Sequence, residues 1–233
     1  MALKRFYRQV AVESGDAGHG VTLDGRPVRT PAKAPLLLPT RALAEAIAAE
    51  WDAQQDEIEP RSMPMMQLAS TAIDRVTPRR DAVITEIASY AETDLLCYRA
   101  DGPIGLVTRQ ATQWQPVLDW AAGTYDAPLS VTEGVMPVPQ SPAAVAALRA
   151  AVADCDAFEL AAVYMLTVAS GSLVLALAVR DSEMDPDAAC DASQLDEEWQ
   201  ASEWGRDPVA ESRRDRARAE ILSAAGFLAL LQG

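Results

Sequence analysis

A run of twenty residues, Leu160 to Val179, carries no charged side chain. As a helix it is long enough to cross a bilayer, so the fold must either place it in lipid or bury it. Its surroundings favour burial. Ser170-Gly171-Ser172 divides the run, Thr167 adds another polar group, and the flanks are mostly acidic (Asp154, Asp156, Glu159 and Asp181). No cluster of Lys or Arg stands beside it to orient an insertion. The run therefore reads as two buried core helices, or as one with a close-packing glycine, and it marks the centre of the core.

The 233 residues suffice for one large domain or two small ones. Alanine is abundant and aromatic residues are few, a balance that favours helices packed closely through small side chains. The net charge of −14 argues against nucleic acid as a partner, because phosphate backbones are held by clustered Lys and Arg. It suits a protein that meets a partner through an acidic face. Cys97, Cys155 and Cys190 lie far apart with no CxxC pair, which argues against a disulfide framework or a zinc site. The N-terminus, Met1-Ala-Leu-Lys-Arg-Phe-Tyr-Arg8, has neither a signal-peptide core nor an amphipathic presequence. A cytoplasmic protein is expected.

The first forty residues have strand-like patterning. Phe6, Arg8, Val10 and Val12 alternate with Tyr7, Gln9, Ala11 and Glu13, as in a half-exposed strand. Gly15 to Gly20 reads as a loop, and Asp24-Gly25 as the type I′ turn of a hairpin within Val21–Arg29. Pro27, Pro31 and Pro35 confine the second arm to an edge, and Leu36 to Leu38 is expected to add a strand. From Thr40 the period lengthens, with Leu43, Ile47 and Trp51 four apart. A second helix is expected from Met65 to Val76. Thr77-Pro78 then predicts a cap and a third helix towards Asp94. Further helices are expected over Ala111–Tyr125, Pro142–Ala153, the two halves of the apolar run, Asp185–Glu203 and Asp207–Leu231. A short extended segment is expected around Leu129–Val138. The fold class is α+β, with a small β-rich N-terminal domain and first helix over 1–62 and a helical bundle over 63–233.

Catalytic patterns find little support. No phosphate loop, G-x-S-x-G elbow or S-x-x-K pair is present, and the sole histidine, His19, sits in an expected turn. Asp185-Pro-Asp187 resembles a metal-binding D-x-D, but Asp185 is explained as an N-cap and Asp187 as an acid in a first turn. Three adjacent acids, Asp196, Glu197 and Glu198, point in different directions on a helix and cannot converge on one metal. Asp187, Asp191 and Glu198 would share a face. The segment reads either as a solvated surface pinned by Leu195 and Trp199 or as an acidic docking helix. Trp51, Trp114, Trp120, Trp199 and Trp204 are core candidates, and any exposed indole would instead indicate a protein contact.

The motifs Lys4-Arg-Phe-Tyr7, Leu23-Asp-Gly-Arg-Pro-Val28 with Thr30-Pro31, and Glu50-Trp-Asp-Ala-Gln-Gln55 occur in order. They are followed by Met63-Pro64, Thr93-Asp-Leu-Leu-Cys-Tyr-Arg99, Gln110 with Trp114, and Trp120. Gly171 to Ala176, Leu195-Asp-Glu-Glu-Trp-Gln200 and Trp204-Gly205 complete the series. In this the sequence resembles the F1-ATPase assembly chaperones that bind the α subunit, known as assembly factor 2 in mitochondria and also found in some bacteria. The resemblance implies a β-rich N-terminal domain, a helical orthogonal bundle, no cofactor, no metal and no turnover. It implies a protein client, the F1 α subunit, with no nucleic acid, small-molecule substrate or membrane insertion. The family's client-binding acid maps onto Glu197, with Asp196 and Glu198 beside it. Trp51, Asp94, Trp199 and Gly205 fall in shared motifs as structural residues. Gln115 stands where the family usually carries Asp before Pro116. The N-terminus suggests a bacterial member. The competing readings are a metal-dependent hydrolase built on Asp185, Asp187 and Asp191, and an acidic scaffold for another protein client.

Overall fold

The computed structural model describes residues 3–16, 18–134 and 136–232. Its first strands are short: β1 (Leu3–Lys4), β2 (Val10–Gly15), β3 (Gly18–Leu23) and β4 (Arg26–Pro27). β2 pairs antiparallel with β3 from Val10–Leu23 to Gly15–Gly18, and β3 pairs with β4 through Leu23–Arg26. Asp24 and Gly25 link β3 to β4 at φ of 49° and 74°, the positive values that a type I′ turn demands. The Asp24 carboxylate also accepts the amides of Gln9 (2.9 Å) and Arg8 (3.1 Å), and these bonds hold its carboxyl below the usual range.

Those two bonds explain one correction. The strand expected from Phe6 begins only at Val10, because the preceding backbone is committed to Asp24 and Tyr7 turns inward to donate to the Trp51 carbonyl at 2.6 Å. Nor is Gly15–Gly20 an open loop. Gly15 pairs with Gly18 and Gly20 with Glu13, which puts His19 in β3, with Nδ1 2.8 Å from the Ser14 hydroxyl, while Ala17 lies outside the described residues. Leu36 to Leu38 forms no strand of its own; single bridges join His19 to Leu38 and Arg29 to Pro35.

Helix α1 (Arg41–Asp52) starts where Thr40 predicts, its hydroxyl accepting the Leu43 amide at 3.2 Å, and buries Leu43, Ala44 and Ile47. After β5 (Glu57–Ile58), which pairs with β1, α2 (Pro64–Thr71) begins under the Glu50 carboxylate, acceptor for the Met65 and Met66 amides. Thr77 does not open a separate third helix. The chain continues helically through a wide turn over Ala72–Val76 and a tight one over Thr77–Arg79 into α3 (Arg80–Ser89). The Thr77 hydroxyl donates backwards to the Ala72 carbonyl, and the altered turns accommodate Pro78, which has no amide to give.

Beyond Asp94 come β6 (Tyr98–Arg99), α4 (Ile104–Tyr125), β7 (Thr132–Glu133), parallel to β6, and α5 (Pro142–Ala153). The apolar run becomes α6 (Ala157–Ser170) and α7 (Leu173–Arg180), broken at Gly171. The Ser172 hydroxyl caps α7 by accepting the Leu175 amide at 3.0 Å, and every α7 residue from Leu173 to Val179 is buried. Each such leucine or valine contributes roughly 1.5–3 kcal/mol of hydrophobic stabilisation. Among the described residues, no helix is long and apolar enough to cross a membrane. The chain ends in α8 (Pro186–Ser193), α9 (Leu195–Trp204) and α10 (Pro208–Leu231). The α+β class of the sequence reading holds: antiparallel strands near the N-terminus, then a helical region.

The residues group into two compact units. One takes in the chain up to Arg80, with Asp156–Ala162 and the residues from Gly226 onwards; in it α1 packs on β2 and β3. There the Thr40 hydroxyl donates to the Leu230 carbonyl at 2.6 Å, and the rings of Phe158 and Phe227 stack with centroids 6.4 Å apart. The other comprises Asp81–Cys155 and Val163–Ala225, where α4 packs against α7 and α9.

Candidate functional site

The helix expected from Asp185 to Glu203 is two helices. Gln194 leaves helical geometry at φ −106°, ψ 8°, so α9 starts a new axis at Leu195. Ser193 contributes to the break, donating to the Cys190 carbonyl at 2.8 Å instead of extending the helix outward. Asp187, Asp191 and Glu198 therefore come from two helices, although all three meet α10, Glu198 through Arg214. Asp187 and Asp191, on α8, both pair with Arg218 of α10, at 2.9 Å for Asp191. Asp185 caps α8, accepting the Asp187 amide at 2.9 Å. An arginine thus stands where a cation shared by Asp187 and Asp191 would have to sit. Among the described residues no group of three or more His, Cys, Asp or Glu side chains could hold a metal ion.

α9 lies between α4 and α10, and its three acids divide accordingly. Asp196 turns towards α4 and accepts from the Gln110 amide at 2.7 Å; half-burial raises its carboxyl above the ordinary range, and the Gln110 bond offsets part of that. Glu197 and Glu198 turn towards α10, pairing with Arg213 (2.9 Å) and Arg214 (2.6 Å). The Arg214 side chain is only 6% exposed, so Glu198 compensates a buried cation. The Glu197–Arg213 pair is open to solvent, at 42% and 70% exposure. Of the three acids, Glu197 has the most replaceable partner, because exposed pairs contribute roughly 0–1 kcal/mol.

Trp199 fixes α9 to α4. Its ring lies under the Arg109 guanidinium, 5.0 Å from the centroid, and fills the space over Gly105, where a Cβ would come within 2.7 Å of the ring. Trp114 is buried in α4 and its indole donates to the Ala192 carbonyl at 2.9 Å, fastening the end of α8 to the same helix. Gly205 ends α9 at φ 94°, ψ 165°, a conformation essentially restricted to glycine. The Asp207 carboxylate then caps α10 through the Ala210 amide at 3.2 Å. A shallow groove of about 210 Å³ lies between Ala201 of α9 and Ala210 of α10, edged by Glu197, Trp204 and Asp207.

The other motif residues lie elsewhere. Asp94 is fully buried and holds backbone: Oδ1 accepts the Leu96 amide and Oδ2 the Val174 amide, each at 3.0 Å, at the start of α7. Trp51 is half-buried, edge-on to Tyr7 at 5.7 Å, and its indole nitrogen has no partner among the described residues. Gln115 takes a long contact (3.4 Å) from Arg99, a buried guanidinium that also donates to the Leu96 carbonyl. Sequence reading did not foresee the arginines that answer the α9 acids, since Glu198 and Arg214 meet only after the chain turns at Gly205.

The chain was compared with known families and solved structures. Residues 4–122 match the model of the ATP12 chaperone protein family. The crystal structure of Atp12 from Paracoccus denitrificans is similar at 46% identity and a TM-score of 0.94, over 98% of both chains. A lysine-for-aspartate variant of that protein is similar at 45% identity and the same TM-score and coverage. The Atu1473 protein of Agrobacterium tumefaciens, described as a candidate chaperone, is similar at 41% identity and a TM-score of 0.91, over 98% of this chain and 85% of that one. The family match ends before α9, whereas the structural similarity extends across nearly the whole chain. The chain belongs to the ATP12 chaperone family.

Proposed function

We propose that this chaperone serves ATP synthase assembly in the bacterial cytoplasm, holding the free α subunit of F1-ATPase through α9 and releasing it to the β subunit without any chemical turnover. Asp196, Glu197 and Glu198 are the client-binding acids, with Glu197 at the centre. The observation that carries this reading is the exposed Glu197–Arg213 pair, where a basic client group can replace Arg213 at little cost. Asp196 and Glu198 are tied to Gln110 and to the buried Arg214, so they set the field around Glu197 while staying in place. A free α subunit exposes apolar surface that belongs against β, and such surface aggregates unless covered. A cover weaker than the final α–β contact yields to β by mass action.

The test is co-expression with the α subunit from the same source, followed by size-exclusion chromatography. A soluble complex that disperses on addition of β is expected. Glu197→Lys sets two cations side by side with Arg213 and should weaken α binding by about ten-fold or more, while stability changes by less than about 1 kcal/mol. Equal rescue of α by the variant would remove Glu197 from the site, and aggregation of α despite the wild-type protein would end the proposal.

A further inference from the structure

Trp204 ends α9 with its side chain in solvent, 80% exposed, the condition under which an indole indicates a protein contact. The groove between Ala201 and Ala210 lies beside it. The conformation of Gly205 stops the helix there and leaves Trp204 as its last residue. The charge around it is predominantly negative, although Arg213 and Arg214 also line the groove and Arg206 pairs with Glu211. Between Leu195 and Glu211 six acids face a single arginine, Arg206, and of the neighbouring arginines Arg213 and Arg214 each answer one acid. Glu203, adjacent to Trp204, is exposed and has no ion pair among the described residues.

An aromatic face ringed by carboxylates selects a partner that is apolar and positive at once. An arginine meets both demands: its planar guanidinium stacks on an indole while its edges donate to carboxylates. The protein already uses this contact internally, with Arg109 over Trp199. We infer that Trp204 and its groove are the anchor of the client-binding surface and receive an arginine with aliphatic neighbours on the client. The inference rests on the proposed function and adds the apolar half of the contact that the acids alone lack.

The test measures binding of purified α subunit to the wild-type protein, Trp204→Ala and Trp204→Phe across a range of salt concentrations. Because the indole is mostly in solvent, thermal unfolding should not move for either variant. Trp204→Ala is expected to weaken binding about ten-fold or more, as loss of an interface tryptophan commonly does, while Trp204→Phe keeps most of the affinity. Wild-type binding should weaken as salt rises, and Trp204→Ala should keep that salt slope, having lost the aromatic face and none of the carboxylates. Wild-type affinity in Trp204→Ala would overturn the anchor and leave the proposed function standing. Wild-type binding indifferent to salt would overturn the arginine-bearing partner, and a wild-type protein that fails to hold α would overturn the function and the anchor together.

Discussion

Asp94 carries a carboxylate with no exposed surface, and its position shows why the residue is an acid. Its two oxygens take the amides of nearby Leu96 and of Val174, eighty residues further along from Asp94, which a carboxylate can do and an amide side chain cannot. Asp94→Asn should therefore leave one buried donor unmet and cost about 1–3 kcal/mol, visible as a lower melting temperature. Burial raises the carboxyls of Asp94 and Glu50, the latter opposed by its bonds to Met65 and Met66. A carboxyl raised by folding contributes stability that is present below its unfolded value, about 4, and is lost as pH rises through the folded one. The stability gap between the wild-type protein and Glu50→Gln should accordingly be wider near pH 4 than near pH 8, as thermal unfolding at the two pH values would reveal. At this scale the sequence was partly readable. The caps at Thr40 and Asp185 followed from residue type and position. The role of Asp94 did not, because its partner amide on α7 lies far along the chain.

Helices stated their own ends where proline or a capping residue marked them, and α5 and α10 run as the sequence predicts. Three elements differed, each for a local reason. α4 begins seven residues before Ala111: Ile104 at its start is 80% exposed and Gly105, Leu106 and Val107 are only half-buried, so no regular apolar period marks its first turn. Pro78 is carried inside a helical path by altered turns, and α8 and α9 separate at Gln194 with neither Gly nor Pro to announce it. The break shapes the candidate site, because a single helix would have kept Glu198 in line with Asp187. The contact of α9 with α4 depends on the missing side chain at Gly105. Gly105→Ala would press into the Trp199 ring and should cost about 1–3 kcal/mol. Trp199→Leu combined with it should cost less than the two single changes together, and a double-mutant cycle by thermal unfolding would measure that coupling.

The whole molecule pairs a surplus of negative charge with an exposed indole at the end of an acid-rich helix. Charge at this scale was legible from composition. The exposure of Trp204 was not, because periodicity does not separate an indole in the core from one in solvent. The first compact unit is assembled from three stretches of sequence, the last beginning at Gly226. Phe227 stacks on Phe158, and the Leu230 carbonyl receives the Thr40 hydroxyl. Removing the residues after Ala225 should therefore destabilise the N-terminal strands and α1, although they lie far away in sequence, and hydrogen exchange in residues 10–52 would report it. The Thr40–Leu230 bond also bears on the order of events during synthesis. A ribosome releases the strands and α1 well before Phe227 and Leu230, so the early elements wait, incompletely packed, until these later residues have left the exit tunnel.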